Sequence, residues 1–405
     1  MGIRLIGGDC REVLATLPAD SVHCVVTSPP YYGLRDYGVD RQIGLEPTPD
    51  AYLAEMVRVF REVKRVLRPD GTVWCNLGDS YASNAATAAG KSGFESHRGS
   101  DTPTLNTERQ GRNAYRGNGI KPKDLLMMPA RLALALQADG WWLRSDIIWH
   151  KPNPMPESVT DRPTSAHEHV FLLARSSRYY YDADAVREDA QLSTIERDNY
   201  RRTGYAKEAG GVGAVNYLNP NSGEFRSCSG RNCRNVWTIA TAPYSEAHFA
   251  TFPPALAERC IRAGTSERGC CAACGAPWGR ETDVSYTNAG NGNNNMKRKA
   301  GGDYEAAMSS RPYEVRKLKS VATLGWAPAC ACGAATVPCT VLDPFAGAGT
   351  TMLVADRLQR DAIGIELSPD YTRMAMDRCR DDAPLFASPP PAEDPEEPRI
   401  RDLFA

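Results

Sequence analysis

Two short strings at opposite ends of this chain constrain its fold more than any other feature. Thr27-Ser28-Pro29-Pro30-Tyr31 follows the apolar run Val22–Val26, and Asp343-Pro344-Phe345-Ala346-Gly347-Ala348-Gly349-Thr350-Thr351 follows Thr340–Leu342. Each string therefore ends a short buried strand, and each is followed or preceded by helically spaced residues. The C-terminal segment reads as strand, glycine turn, helix over 350–358, strand over 362–365 and helix over 369–380. The N-terminal segment keeps the same rhythm: a strand over 3–6, a helix over 10–17 and a strand over 22–26. Such alternation predicts an α/β fold, a parallel sheet with helices on both faces. If the C-terminal half supplies the first two strands and the N-terminus the third and fourth, both strings meet at the carboxyl ends of neighbouring strands, where open α/β sheets bind ligands.

The rest of the pattern extends that sheet. A helix over 52–67 is expected to stop at a turn, Arg68-Pro69-Asp70-Gly71, before a strand over 72–77. A helix over 129–138 precedes a strand over 142–149, and 170–174 with 179–181 reads as an antiparallel hairpin closing the sheet. The 405 residues, 42% hydrophobic, suffice for one large domain with insertions or for two smaller ones. No stretch approaches the roughly 20 continuous apolar residues that cross a bilayer, and the start lacks a signal peptide's apolar segment. Scattered cysteines and no leader predict a reduced, cytoplasmic protein without a membrane partner. A net charge of −1 argues against a surface coated in nucleic-acid affinity but leaves room for a local basic groove.

Gly347 and Gly349 allow close backbone approach to a ligand, and the helix after them offers free N–H groups. Asp343 can pair with a cationic amine, Glu366 at the next strand end suits a ribose diol, and Asp9 after the 3–6 strand can accept from an adenine amino group. The glycines do not form the Gly-x-Gly-x-x-Gly of a dinucleotide site, which argues against NAD. At the other string, Ser28 offers a hydroxyl acceptor and Pro29 a carbonyl with no competing N–H. Pro30 stiffens the turn, and Tyr31 presents a face for stacking.

Taken together, the two strings and the longer TSPPYYGLRDYG over 27–38 resemble the amino-methyltransferases of DNA in their permuted, catalytic-motif-first arrangement. The resemblance covers about 7–182 and 234–379, and includes IIWHKPNPMP over 147–156 and HEHVFL over 167–172. It implies a Rossmann-like, circularly permuted fold that binds S-adenosylmethionine and methylates an exocyclic amine of a base flipped from duplex DNA. Ser28, Pro29, Pro30 and Tyr31 are then catalytic. Asp9, Thr27, Asp343, Pro344, Phe345, Gly347, Gly349, Thr350, Thr351 and Glu366 form the cofactor site, with His248, Phe249 and Thr251 closing over its methionine end. Within this family Ser-Pro-Pro-Tyr goes more often with cytosine N4 and Asp-Pro-Pro-Tyr with adenine N6; Ser28 favours cytosine, and adenine stays open. A catalytically silent DNA-binding relative and an RNA or protein methyltransferase are the rival classes.

The resemblance divides the chain into a catalytic half over 1–182, with an insertion at 83–123, and a cofactor half over 236–383, with a cysteine-rich insertion at 270–337. Between them, 183–235 is Arg-rich and is the candidate target-recognition segment; 384–405 reads as a disordered tail. Arg35, Lys151, Arg162, Arg201 and Arg202 are the candidate DNA contacts. A homodimer and an accompanying restriction endonuclease are compatible partners. Cys271-Ala272-Ala273-Cys274 and Cys330-Ala331-Cys332 have the makings of a structural zinc site, each pair being followed by Gly-Ala. Free thiols, or Cys270 replacing one ligand, are the competing readings, and Cys228 with Cys233 is a weaker second pair.

Overall fold

The computed structural model describes residues 2–34, 36–82, 120–121, 123–188, 231–242, 252–288 and 317–382. Its centre is an eight-stranded sheet. In chain order the strands are β1 (Ile3–Gly7), β2 (Val22–Thr27), β3 (Leu67–Leu77), β4 (Trp142–His150), β5 (His167–Ala174) and β6 (Val236–Thr238). They are followed by the short β7 (Cys270–Cys271), the hairpin β8 (Trp278–Asn288) and β9 (Lys317–Pro328), the short β10 (Thr336–Val337), then β11 (Thr340–Asp343) and β12 (Asp361–Glu366). The order across the sheet is β1-β12-β11-β2-β3-β5-β4-β6. The first five run parallel, β5 is antiparallel to both β3 and β4, and β6 is parallel to β4.

Two strands from the C-terminal part thus lie between two from the N-terminus. Strand β2 is buried along its whole length, and the pleat sends alternate residues to opposite faces. Val25, Val73, Cys75 and Leu342 join one core with helices α1 (Cys10–Thr16), α2 (Pro49–Val66) and α3 (Met128–Ala138). Cys24, Val26, Trp74 and Val341 join another with α4 (Pro254–Gly264) and α5 (Thr350–Arg357). Helix α6 (Pro369–Asp382) packs on α5 and β1. Helix α2 shows how locally such elements are specified. The Thr48 hydroxyl caps it by accepting from Ala51 N at 3.0 Å. Pro49 occupies its first turn, Lys64 and Arg65 its last, and Tyr52, Met56, Val59, Phe60, Val63 and Val66 form its buried stripe.

Three sequence expectations need correction. Arg68–Gly71 does not break the chain into a turn: β3 begins at Leu67, and the extra residues form an irregularity against β2, where pairing jumps from Val22–Leu67 to Cys24–Thr72. Gly71 fits there because a Cβ would lie 2.6 Å from Leu67 Cδ1 and 2.9 Å from the His23 carbonyl. Tyr179–Tyr181 is not a strand; β4 takes the free edge of β5, and Tyr181 instead stacks on Trp74 with centroids 6.4 Å apart. The cysteine-rich insertion at 270–337, for which no strands were expected, contains the β8–β9 hairpin.

Candidate active site

The first strand-end string follows β2 and the second follows β11, and these strands are hydrogen-bonded neighbours. Thr27 and Asp343 therefore face each other: Thr27 Oγ1 donates to Asp343 Oδ1 at 2.7 Å, although the residues are 316 positions apart. Thr351 Oγ1, from the first turn of α5, donates to Asp343 Oδ2 at 2.8 Å and lies 3.1 Å from the Val26 carbonyl. Phe345 N–H adds a third bond to the carboxylate at 3.1 Å. Asp343 is 1% exposed, and burial raises its pKa to about 6, against the opposing pull of these three donors. Asp343 thus braces three elements at the crevice floor.

Glu366, at the end of β12, also holds backbone. Its two oxygens accept from Gly347 N–H and Ser368 N–H, each at 2.8 Å, and burial lifts its pKa above the ordinary carboxylate range. A carboxylate has about four acceptor positions, so room is left for hydroxyl donors. The two glycines of the turn differ in role. Gly349, at φ +76°, caps α5, and a Cβ on it would sit 2.8 Å from Ala375 Cβ. Gly347, at φ +51°, has open space where its side chain would be, as a close-approach surface for a ligand requires. Thr350 is buried and accepts from Arg378 Nη1 at 3.0 Å. Pro344 and Phe345 continue the turn, and Phe345 packs against the α1–α3 core.

Asp9 is the cap of α1. Its carboxylate accepts from Arg11 N at 2.9 Å, pairs with the Arg11 guanidinium, and has Arg41 at 3.4 Å. Burial alone would raise its pKa, but the hydrogen bonds and charge of Arg11 outweigh it and the net shift is downward.

Ser28 and Tyr31 are half-buried, and the Ser28 hydroxyl has no hydrogen-bond partner among the described residues. The Pro30 carbonyl accepts from the buried Tyr52 hydroxyl at 2.9 Å, which fixes the turn onto α2. Tyr31 is held from the other side: its hydroxyl donates to Glu168 Oε2 at 2.7 Å, and Asn76 Nδ2 donates to the same oxygen at 3.0 Å. Lys151 Nζ pairs with the other Glu168 oxygen and lies 4.5 Å from the Trp149 ring centroid. Gly78 admits the ring, since a Cβ there would fall 2.7 Å from Tyr31 Cε2.

Asn76 and Glu168 were missed as site residues from sequence. The available signals were their place near the ends of β3 and β5 beside the Ser28 turn and, for Glu168, the family-like string over 167–172. Lys151, expected at phosphate, is engaged by Glu168 here, and Arg162 pairs with Glu157 at 2.6 Å and covers the Tyr81 ring at 3.9 Å. His169 hydrogen-bonds Asp146 at 2.9 Å and stacks on Phe171. Arg35, Arg201, Arg202, His248, Phe249 and Thr251 lie outside the described residues.

A mostly parallel sheet with two polar strand ends meeting between β11 and β2 defines an α/β protein of the Rossmann-like class, its ligand crevice at the carboxyl ends of the strands. Comparison with known proteins narrows the class. The family model described as DNA methylase matches residues 22–272 and 339–377. The type II methyltransferase M.Cfr9I of Citrobacter freundii is 37% identical over 94% of this chain and 88% of its own length. M.SmaI of Serratia marcescens is 34% identical over 93% and 90%. With two near full-length relatives above 30% identity, the chain belongs to the DNA methylase family of N6 and N4 amino-methyltransferases. Among the described residues no helix is long and apolar enough to cross a membrane.

Proposed function

We propose that this protein methylates the exocyclic N4 amino group of cytosine in duplex DNA, using S-adenosylmethionine. The observation that carries the reading is the 2.7 Å bond between Thr27 and Asp343, which sets the Ser28–Tyr31 turn directly beside the Gly347 turn. Two features fit the cofactor, a glycine with open space above it and a strand-end carboxylate at Glu366 with acceptor positions left for a ribose diol; Asp9, expected at the adenine amine, has its acceptor positions taken by Arg11. When bound, S-adenosylmethionine supplies an electrophilic methyl on a sulfonium.

The work of the chain is positioning. A cytosine amine is a poor nucleophile because its lone pair is delocalised into the ring. Ser28 Oγ and the Pro29 carbonyl accept its N–H bonds and draw the nitrogen toward tetrahedral geometry, facing the methyl in line. Tyr31 supplies a stacking face for the flipped base, and Glu168 and Asn76 fix that face in place. The Ser28 hydroxyl is too weak a base to take the proton first, so the proton leaves after methylation, when the amine has become acidic. Serine rather than aspartate at position 28 supports cytosine. The relatives' designation as type II methyltransferases supports a companion restriction endonuclease with the same target.

The test is mass spectrometry of nucleosides from unmethylated plasmid incubated with the protein and S-adenosylmethionine. N4-methylcytosine is the expected product. N6-methyladenine would overturn the base assignment and leave the transfer chemistry intact. Absence of both products, on DNA of varied sequence, would sink the enzymatic reading.

A further inference from the structure

The amino ends of the parallel strands, on the side away from the crevice, carry a second chemically distinctive cluster. The Sγ atoms of Cys271, Cys274, Cys330 and Cys332 all lie within 4.8 Å of one another. Sulfurs around a tetrahedral zinc at about 2.3 Å are separated by roughly 3.8 Å, so the four thiols are gathered on the scale such an ion requires. They come from two turns of the same design. Cys271–Cys274 is followed by Gly275 at φ +70°, and Cys330–Cys332 by Gly333 at φ +64°. The turns are joined by Ala272 N–H to the Ala335 carbonyl at 2.9 Å and by the β7–β10 pairing. Seen along the chain, the first turn leads into β8 and the second follows β9, so the cluster sits at the base of that hairpin.

The base is docked on the sheet. The Gly275 carbonyl lies 2.8 Å from His23 Nε2, and the Cys274 carbonyl accepts from Arg68 Nη1 at 2.6 Å. His23 and Arg68 are the second residues of β2 and β3. At about 3.3 Å per residue, His23 stands roughly 16 Å along β2 from Ser28. Arg280 on β8 adds an ion pair to the buried Asp182 at 2.9 Å. Three of the four cysteines, Cys274, Cys330 and Cys332, and the β8–β9 hairpin lie in the gap between the two segments matched by the family model, which break off at 272 and resume at 339; Cys271 lies just inside the first.

A neighbouring group, His23, Cys270 and Cys339, is also compact enough for a metal. Its hydrogen bonds argue against it. Thr340 N–H donates into His23 Nδ1 at 3.0 Å, which leaves the ring proton on Nε2 facing the Gly275 carbonyl. Both nitrogens are committed, and an imidazole needs a free lone pair to ligate. The Cys270 and Cys339 thiols lie against the carbonyls of Pro338 and Ser266. Of these two groups, the four-cysteine one retains a complete donor set.

We propose that Cys271, Cys274, Cys330 and Cys332 form a tetrathiolate zinc site that staples the β8–β9 arm to the amino pole of the sheet. The ion is structural: with four protein sulfurs it has no open position for a substrate, and the crevice lies at the other pole. The site is independent of the methylation reading, so its test does not depend on activity.

Full-length protein purified under reductant without chelator, and reconstituted with zinc, is expected to contain about one zinc per chain by elemental mass spectrometry. Cobalt(II) in place of zinc is expected to show thiolate charge-transfer bands with the d–d absorption of a four-sulfur tetrahedral site. Cys274→Ser with Cys332→Ser should abolish metal retention, whereas Cys270→Ser with Cys339→Ser should leave it unchanged. Chelation should open strands β8 and β9 to protease while the sheet core resists. A wild-type chain that takes up no zinc would overturn the proposal. So would metal that survives the first double substitution, or a cobalt spectrum showing nitrogen among the ligands. The cobalt spectrum is read on the unsubstituted chain and stays decisive if a variant fails to fold.

Discussion

Asp343 concentrates the physical demands of the crevice on one side chain. Burial favours its protonated form and raises its pKa to about 6, so the folded chain binds more protons than the unfolded chain between about pH 4 and pH 6. Stability from this group is therefore fully present at low pH and lost as pH rises through about 6. Asp343→Asn removes the titration. Its stability relative to the parent is expected to gain roughly 3 kcal/mol between pH 4 and pH 7, read by urea denaturation at each pH; a flat difference would contradict the burial argument. Ser28→Ala removes one amine acceptor and is expected to slow single-turnover methylation about 100-fold or more. Calorimetry should find cofactor affinity unchanged; a loss there instead would move Ser28 out of the chemistry. Tyr31→Phe keeps the stacking face and cuts the tether to Glu168, so about a tenfold slowing is expected, with Glu168→Ala adding little on top in a double-mutant cycle. Additive losses would mean that Glu168 acts elsewhere. Ser28, Tyr31, Asp343 and Glu366 were legible as candidate site residues because each ends a strand or sits in the turn directly after one, with recognisable flanks. Glu168 was not, since its partner Tyr31 lies 137 positions away and a Glu between two histidines has no local signature.

The glycine turn separates two functions that sequence alone had merged. Gly349→Ala places a Cβ against α6 at a left-handed position and is expected to destabilise the fold by more than the ~1–2 kcal/mol of backbone strain. Gly347→Ala meets open space; it is expected to cost only about that strain while weakening cofactor binding more than Gly349→Ala does. Denaturation and calorimetry on both variants separate the roles, and equal losses in both would erase the distinction. Helices with local caps and buried stripes, such as α2, were readable because their signals lie within a few turns. The β8–β9 hairpin was not, although apolar residues recur with period two at Val284 and Tyr286 and at Leu318, Ala322, Leu324 and Trp326: the pattern is interrupted by polar residues, and the two runs are separated by the polar sequence 289–316. Arg68–Gly71 misled for a related reason, because turn-forming residues also suit an irregularity held against a neighbouring strand.

For the whole molecule, the decisive fact is that β11 and β12 lie between β1 and β2. Neither half can close its own sheet. Residues 1–242 alone would expose an edge of β2 where β11 belongs, and 243–405 would keep, of this sheet, only the β11–β12 pair. The two fragments, coexpressed, are expected to copurify as a one-to-one complex, and each alone to be insoluble. Soluble, non-associating halves in size-exclusion chromatography would contradict the interleaved sheet. Hydrophobic period and turn chemistry are local, so the sequence by itself determined the α/β class, the strand-ending strings and the cysteine pairs. Contacts between residues hundreds of positions apart depend on how strands order and register, which no local pattern encodes. The meeting of the two strings and the pairing of the two cysteine turns were expected from sequence; tertiary structure decided the Thr27–Asp343 bond itself, that Glu168 holds Tyr31, and that the four cysteines gather at the pole opposite the crevice.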